Sequence, residues 1–335
     1  MLYLSTRSRT DTYTSNRALH EERAPEGGFY VPFQTMQFSN DELRSFKART
    51  FNENIAYVLN IFFSCKLSAW DVEFCWGRYP ARQVRLPHRL HIFELWHTAN
   101  LDYAHMEQSL YNRLTNTDTP LSQNGWAKIA IEIAVLFAIY GETSTANMGS
   151  SFDMAVESQG FISPFAVWYA RQMGLPVDTI ICGAYDQGDL WELLHLGTVN
   201  TNVQINKLDG IERLIYYTLG HDAVLQYVSC CDRQRAYHIK PENTEVLSAN
   251  LFAAVISTDR LPSVVTNFYR SHGYVLDTVS AISFSALQDY RARTGESKNT
   301  LIMSMVSPLK STSAITNLLG ISSAELEVAV NKQRG

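Results

Sequence analysis

Apolar and polar residues follow different spacings in different parts of the chain. Across residues 40–63, apolar side chains recur every three or four positions, which predicts a helix that begins at Asn40. Across residues 82–96 they alternate with polar residues on both sides of a Pro-His turn, which predicts a short pair of strands. The apolar segment 126–141 predicts a long helix that ends at Gly141, a residue type that suits a helix C-terminus.

In the second half of the chain, short apolar runs alternate with helical patterns. Residues 178–183 and 299–306 are apolar runs with polar ends, which are typical of buried strands. Helical patterns are found at residues 164–173, 187–196, 279–294 and 312–319. Strands that alternate with helices predict an α/β fold in which helices pack around a mostly parallel sheet.

The composition is that of a globular protein. The chain has 335 residues, 46% hydrophobic and 18% charged, and this length can bury a large core as one domain or two modest ones. The net charge of −5 and the lack of a basic run argue against nucleic acid as a partner. The longest strongly apolar stretch, Ile129 to Tyr140, is shorter than the ~20 residues of a membrane span, so we expect no membrane association.

Cysteine usage and the N-terminus indicate the compartment. The five cysteines are sparse, which fits the reduced thiols of an intracellular protein. None of them has CxxC spacing, so we expect no metal site. The N-terminus is polar from its fifth residue and has no apolar signal segment, and we therefore expect a cytoplasmic protein.

Seven blocks of sequence follow one another in a recognisable order. They are Ser5–Arg7 with Ala24–Pro32, Phe93–His97, Trp126–Ile129, Phe161–Val177, Gly210–Leu214, Gly273–Asp277 and Ser304–Lys310. These blocks resemble the STR and GLAPDGGLYVP, LELFHGPT, SINWARI, YYAKKMGLPV, NFERL, GYVLDPHTAVG and STAHPAKF signatures of the threonine synthases. One block alone is weak evidence, but seven in the right order are specific.

The resemblance implies a fold and a cofactor. Threonine synthases have a fold like that of the tryptophan synthase β subunit, called pyridoxal-phosphate fold type II, and they bind pyridoxal phosphate through a lysine. We expect residues 1–117 to form an N-terminal threonine-synthase-like region and residues 118–335 an α/β core region. The two regions are expected to form one compact unit.

The cofactor lysine of the family has no counterpart in this chain. In the family it lies in an AFKD motif after the HGPT block, and the matching residue here is Ala104. A Schiff base needs a primary amine, which alanine lacks. The nearest lysine in the sequence, Lys128, matches the arginine of the family's substrate-phosphate motif and lacks the bidentate guanidinium that suits phosphate.

The residues around the family's cofactor also differ. Backbone amides of a TGNFGD loop approach the cofactor phosphate in the family. Here Gln159, Gly160 and Ile162 fall within that loop, and the β-branched Ile162 restricts its backbone. Met305 replaces the threonine that binds the pyridine nitrogen, and a thioether donates no hydrogen bond. We therefore expect no cofactor and no threonine synthase activity.

A block of the family is missing before the WAKI helix. The GDTGSA signature is absent there, so the chain jumps over the family's mobile subdomain between about Leu114 and Leu121. A segment on the order of 100 residues has the size of a subdomain. In the family this lobe closes over the substrate and excludes water. We expect a homodimer or a protein partner to cover the face that its loss leaves.

Segment 94–107 is polar where the family's cofactor would lie. One hypothesis is a rebuilt, cofactor-free active site, in which His97 or His105 is the acid or base and Asp102 or Glu107 its partner. If the end of this segment is helical, Asp102 and His105 share a face, although such pairs are also common on solvated helices. Candidate ligand-binding residues are Glu94, Asn100, Tyr103 and Lys128.

Three charged residues of the family are retained at Glu212, Arg213 and Asp277. Catalytic groups and structural ion pairs are both retained in this way. We interpret these residues as structural, because ion-pair networks often serve as scaffolding.

Two classes of function are compatible with these features. The first is a pseudoenzyme that binds a partner protein or a small ligand. The second is a repurposed enzyme, independent of a cofactor, that acts on a small amino-acid-like molecule, as in specialised metabolism. A deep polar pocket around His97 to Glu107 would favour the enzyme, and an open face would favour the pseudoenzyme. The fold alone does not decide between the two classes, because activity depends on the residues of the site. Of the two, we favour the pseudoenzyme.

Overall fold

A six-stranded sheet lies at the centre of the computed structural model, which describes residues 1–77, 81–98, 100–143, 151–185, 189–199 and 209–334. In spatial order the strands are β10 (Leu251–Ile256), β7 (Val177–Tyr185), β6 (Phe152–Glu157), β11 (Thr300–Ser304), β5 (Leu90–Glu94) and β4 (Arg82–Leu86). Neighbouring strands are parallel, except that β4 and β5 form an antiparallel hairpin. The predicted α/β fold with a mostly parallel sheet is confirmed.

Two smaller sheets flank this one. The N-terminal sheet has three antiparallel strands, with β1 (Leu2–Ser5) between β2 (Thr12–Thr14) and β3 (Tyr30–Pro32). The second pairs β8 (Thr198–Val199) with β9 (Tyr237–His238). These short strands were not predicted from the sequence, because three residues are too few to show an alternating pattern.

Helices cover both faces of the central sheet. In the first half they are α1 (Ser15–His20), α2 (Asn40–Phe46), α3 (Phe51–Phe63), α4 (Ala69–Trp76), α5 (Tyr103–Thr115) and α6 (Trp126–Glu142). In the second half they are α7 (Ile162–Gln172), α8 (Asp189–Leu196), α9 (Asp209–Leu219), α10 (His221–Asp232), α11 (Pro241–Ser248), α12 (Leu261–His272), α13 (Thr278–Thr294), α14 (Thr312–Leu319) and α15 (Ser323–Arg334). On one face α6 packs against α3 and α7, and on the other α13 packs against β6, β7 and β10.

The segment predicted as one helix over residues 40–63 forms two helices, so that prediction was wrong. Ser39 is the N-cap of α2 and forms a capping box with Glu42. Thr50 forms a second capping box with Glu53 and begins α3. In each box the hydroxyl accepts from a backbone N–H that the helix leaves free, and this fixes a helix start.

Helix α6 matches the long apolar helix predicted from the sequence. It is buried along almost its whole length, including the side chain of Glu132, and packs in the main hydrophobic core. Gly141 lies inside its last turn and not after it. The reason is close packing, since a Cβ at this position would lie 2.6 Å from the carbonyl oxygen of Phe46.

Helices α5 and α6 are joined directly by residues 116–125, which contain no helix or strand. The lobe expected to be missing at this point is therefore absent between them. The sheet combines β4 and β5 from the first region with β6, β7, β10 and β11 from the second. The division of the chain at residue 117 stays a prediction.

Buried polar contacts attach the N-terminal segment to α9. Thr6 Oγ1 donates to Glu212 Oε1 at 2.5 Å, and the guanidinium of Arg7 donates to both oxygens of Glu212 at 3.0 and 2.7 Å. Arg213 is fully buried and donates to the carbonyl oxygen of Asn124 at 2.7 Å. The STR and GIERL blocks of the sequence therefore meet in space, and Glu212 has a structural contact.

Within the described residues, no helix is both long enough and apolar enough to cross a lipid bilayer. The α-helices of the central layer are instead buried against the sheet and against one another. The cytoplasmic location stays an expectation from the sequence.

We predict that Arg7→Met lowers the free energy of unfolding by about 2–4 kcal/mol, because it leaves the carboxylate of Glu212 buried without its cation. Glu212 is only 2% exposed. Urea unfolding followed by circular dichroism measures the change. The matched control is Arg17→Met, which breaks a half-exposed pair with Glu21 and should cost less than about 1 kcal/mol. Equal losses in the two variants would contradict the structural role of Arg7.

Candidate functional site

The side chains at the positions of the family's cofactor site lie where parallel strands end. Glu94 ends β5, Glu157 ends β6 and Ser304 ends β11, and these three strand ends share one edge of the sheet. In open α/β sheets, ligands bind outside the carboxyl ends of the strands. This edge is therefore the candidate site.

Ala104, at the family's lysine position, lies in the first turn of α5. A helix follows Asp102, a possibility that the sequence left open, and both Ala104 and His105 are exposed on it. Asn100, just before the helix, is also exposed. This side of the site is an open, mostly polar surface.

Asp102 is buried and serves as the N-cap of α5. Its Oδ1 accepts from the backbone N–H of His105 at 3.2 Å, and its Oδ2 forms an ion pair with Lys310. Asp102 therefore contacts the backbone of His105. His97 packs with its ring edge against Trp76, with 5.3 Å between ring centroids. An acid/base role for His97, Asp102 and His105 stays a hypothesis.

A second group of buried charges lies between α5 and α6. Lys128 Nζ donates to Glu107 Oε2 at 2.8 Å, and both side chains are largely buried. Glu132 lies one turn after Lys128 on α6 and is only 1% exposed. Its Oε1 has no hydrogen-bond partner among the described residues. We call Glu107, Lys128, Glu132 and Glu157 the acidic cluster.

The carboxyl groups of the acidic cluster hold protons unusually strongly. Burial, followed by the negative charge of Glu107, raises the pKa of Glu132 to about 7. Burial raises the pKa of Glu157 to about 7. Burial also raises the pKa of Glu107, although the ammonium of Lys128 opposes this. Glu107 and Glu132 share the single ammonium of Lys128, so this part of the cluster favours neutral acids over further anions.

The loop at the family's phosphate position is closed by its own contacts. Glu157 Oε1 accepts from the backbone N–H of Gln159 at 2.6 Å. Gly160 and Phe161 both have positive φ angles, of 67° and 59°. Gly210 of α9 packs directly on this turn, because a Cβ there would lie 2.4 Å from the carbonyl oxygen of Phe161. A carboxyl group of the chain thus accepts from an amide that could otherwise donate to an external anion.

Ile162 and Pro164 form the start of α7 after this loop. The side chain of Ile162 is buried, and the ring of Pro164 removes one backbone N–H from the first turn. Fewer amides are therefore free to bind an anion at this helix start.

The residues on β11 and β5 are used in internal hydrogen bonds. Ser304 Oγ donates to Asp277 Oδ2 at 2.9 Å and accepts from the indole N–H of Trp96 at 3.1 Å. The carbonyl oxygen of Met305 accepts from the backbone N–H of Tyr103 at 3.2 Å. Glu94 is buried and accepts from the hydroxyl of Tyr274 at 3.0 Å. These contacts hold the strand ends against α5 and α13.

Comparison with known proteins identifies the family that the chain resembles. The model of the threonine synthase N terminus matches residues 2–76. Two curated relatives named threonine synthase-like 1, from Homo sapiens and Pongo abelii, are 22% identical over 150 residues. The match covers 41% of this chain but only 20% of each relative. The sequence evidence is thus strongest at the N-terminus.

Solved structures extend the similarity to nearly the whole chain. The pyridoxal-phosphate-bound threonine synthase of Brucella melitensis superposes with a TM-score of 0.82 at 16% identity, over 96% of this chain and 92% of that one. Yeast threonine synthase gives 0.83 at 14% identity, over 95% and 90%. The chain has the threonine synthase fold. The predicted resemblance to the threonine synthases and the pyridoxal-phosphate fold type II are confirmed.

Pyridoxal phosphate does not fit the residues of this threonine-synthase-like chain. The cofactor needs a free amine and a cradle for a phosphate. Lys128 and Lys310, which lie at the site, are each held in an ion pair with a buried carboxylate. The amide of Gln159 in the phosphate loop already donates to Glu157, so fewer backbone donors are free for a phosphate.

Away from the acidic cluster, the described residues form surface cavities but no metal site. In the described part of the chain, no group of three or more His, Cys, Asp or Glu side chains is arranged to bind a metal ion. Two open surface cavities, of about 420 and 630 Å³, lie at the N-terminal strands. Neither is lined by residues of the acidic cluster.

Sequence reasoning did not single out Glu132, Glu157 or Lys310 as site residues. A signal was present for Glu132, because it is the one charged residue in the apolar stretch from Ile129 to Tyr140. A charged side chain in such a stretch is buried when the helix is buried, and burying an unpaired charge is energetically costly. This cost could have identified Glu132 as a residue of interest. No local pattern pairs Lys310 with Asp102, since 208 residues separate them.

We predict that Glu132→Gln flattens the pH dependence of stability. The folded pKa of about 7 lies above the ordinary value of 4.5, so the wild-type protein is more stable at low pH and loses this stability as pH rises through 7. Relative to wild type, the variant should gain about 3 kcal/mol as pH rises from 4.5 to 8. Urea unfolding at a series of pH values measures this.

The exposed Glu245→Gln is the matched control for this measurement, because it makes the same chemical change on a solvated helix. It should leave the pH profile as in the wild type. A Glu132→Gln profile that parallels the wild type would contradict the buried, proton-holding state of Glu132.

Proposed function

We propose that this chain is a threonine-synthase-like pseudoenzyme, which binds no pyridoxal phosphate and acts by binding a partner or a small ligand. The observation that carries the proposal is the acidic cluster. The buried carboxyl groups of Glu107 and Glu132 and the half-buried one of Glu157 lie in the region that the sequence resemblance assigns to the cofactor. Such carboxyl groups offer no positive charge to a phosphate and repel it once they ionise.

The contacts of the two lysines support the same proposal. A Schiff base requires a neutral amine, and an ammonium in an ion pair has no free electron pair. Lys128 and Lys310 are each paired with a carboxylate, and Ala104 is a methyl group at the surface. Removing either lysine from its pair would leave Glu107 or Asp102 buried and charged, which is costly.

The partner part of the proposal rests on the surface beside α5. The outward face of α5 is polar, with His105 and Arg113 exposed on it. The neighbouring helix α4 carries two exposed aromatic side chains, Trp70 at 65% and Phe74 at 75%. Exposed aromatic pairs are typical of protein contacts. A second copy of the chain or another protein is proposed to cover them.

The decisive experiment mixes the full chain with pyridoxal phosphate, reduces any imine with borohydride and identifies the modified lysines by mass spectrometry. We expect Lys128 and Lys310 to be modified no more than the exposed Lys240, which serves as the internal control. Stoichiometric modification of Lys128 or Lys310, accompanied by an imine absorbance band, would overturn the proposal.

A repurposed enzyme is the second candidate, and one observation favours it. The pKa values of Glu132 and Glu157 are about 7, which suits general acid/base catalysis at neutral pH. Such values also arise in structural clusters, and Glu132 is not open to solvent. This observation is therefore weaker than the ones that support the pseudoenzyme.

Hydrogen exchange can distinguish the two candidate functions, and it can be measured without knowing the natural substrate. A cofactor-independent acid/base enzyme for amino-acid-like molecules should exchange the Cα hydrogen of its substrate with deuterium from D₂O. We expect no exchange in a mixture of amino acids incubated with the protein and followed by NMR. Exchange that Glu132→Gln abolishes and Glu245→Gln leaves intact would establish the enzyme and contradict the pseudoenzyme.

A further inference from the structure

A basic hairpin lies at the far edge of the central sheet. Between Glu73 and Glu94 the sequence has no acidic residue, although the whole chain has a net charge of −5. The hairpin formed by β4 and β5 carries Arg85, His88 and Arg89 exposed to solvent. We call these three residues the basic hairpin. Its tip lies at the start of β5, so it is at the opposite end of that strand from the acidic cluster.

The charges of the basic hairpin are not neutralised by neighbouring acids. Among the described residues, no ion pair involves Arg85, His88 or Arg89, whereas exposed arginines elsewhere, such as Arg44 and Arg260, are paired. Arg89 donates only to the carbonyl oxygen of Ser297, at 3.4 Å. Positive charge is thus concentrated at the tip and available to a partner.

Two neighbouring histidines are affected by this surface. Burial is the main cause that lowers the pKa of His272 on α12, and His88 lowers it further. Burial also lowers the pKa of His91, and the charge of Arg85 lowers it further. Both histidines therefore lie close enough to the hairpin to interact with its charges.

The backbone of the turn is held in a conformation that non-glycine residues seldom adopt. His88 and Arg89 have φ angles of 59° and 57°. Each such residue costs on the order of 1 kcal/mol compared with glycine. Two adjacent basic residues thus occupy turn positions that glycine would adopt with less strain, and both are exposed at the tip of the hairpin.

The second feature of this surface is an unpaired strand edge. Strand β4 is the last strand of the sheet, and β5 is its only neighbouring strand among the described residues. An edge strand presents backbone N–H and C=O groups that can pair with another extended chain. Arg85 lies exposed on this strand, so an incoming strand meets its positive charge, whereas Arg82 is paired with the buried Glu94 at 3.8 Å.

We propose that the β4 edge and the basic hairpin bind an extended acidic segment of a partner protein, which adds to the sheet as a strand beside β4. A second copy of this chain is disfavoured, because antiparallel pairing of β4 with itself over its full length would place both Arg85 side chains on the same face, diagonally across the pair. The phosphates of a nucleic acid would contact the positive charge, but a nucleic acid could not pair with the backbone of β4 as a strand does. Only an acidic polypeptide uses both features.

The probe is a fluorescein-labelled peptide of about eight residues that alternates Glu and Val, a length typical of one strand. Binding to the full chain is measured by fluorescence anisotropy. We expect a dissociation constant below about 1 mM that weakens as salt screens the charges. A peptide of the same sequence with N-methyl groups on alternate backbone nitrogens keeps the charge but blocks strand pairing, and it should bind at least about tenfold more weakly.

Two variants locate the binding surface. Arg85→Glu should weaken binding of the alternating peptide by at least about fivefold, because it reverses a charge on β4. Arg293→Glu is the matched control, since Arg293 is exposed and lies over Phe252 at the opposite edge of the sheet. It should change the affinity by less than about twofold. Circular dichroism of both variants verifies that they are folded.

Three results would overturn the proposal. The first is no detectable binding of the alternating peptide. The second is equal binding of the N-methylated peptide or of a single-stranded DNA of the same charge, which would make the surface a general anion-binding patch. The third is equal weakening by the two variants. The test is independent of the proposed pseudoenzyme function, because neither variant touches the acidic cluster.

Discussion

The burial of the Glu107–Lys128 pair beside Glu132 is the constraint on which the site depends. These side chains join α6 to α5, the helix whose first turn contains the residue that the sequence resemblance matches to the family's cofactor lysine. A buried ion pair stabilises little by itself, but removing one partner leaves an uncompensated charge. The pair therefore fixes how α5 and α6 pack together. In this packing the amine of Lys128 and the carboxylate of Glu107 contact each other, so they are not free to contact a ligand.

Internal contacts also occupy potential ligand-binding groups in the rest of the site. Lys310 is held by Asp102, the amide of Gln159 by Glu157, and the hydroxyl of Ser304 by Asp277. In each case a group able to bind a ligand is satisfied by a neighbour within the chain. These internal contacts limit the freedom of the side chains, although one buried oxygen each of Glu107 and Glu132 has no hydrogen-bond partner among the described residues.

The sequence predicted the central fold better than the site, for a physical reason. The strands at 178–183 and 299–306 and the helix at 126–141 follow from hydrophobic spacing, which is a local property. The break between α2 and α3 was predictable as well, from the capping boxes at Ser39 and Thr50. The contact of Lys310 with Asp102 depends on tertiary packing, and no local pattern encodes it.

The direct connection through residues 116–125 also changes how the protein assembles. The entropy lost on closing a loop grows with the logarithm of its length, by about 0.6 kcal/mol for each doubling. A connection of only ten residues thus brings α5 to α6 at a lower entropic cost than a longer flexible loop would. Two helices that are neighbours in the chain can meet early in folding, and this gain offsets part of the penalty for dehydrating the carboxyl groups between them.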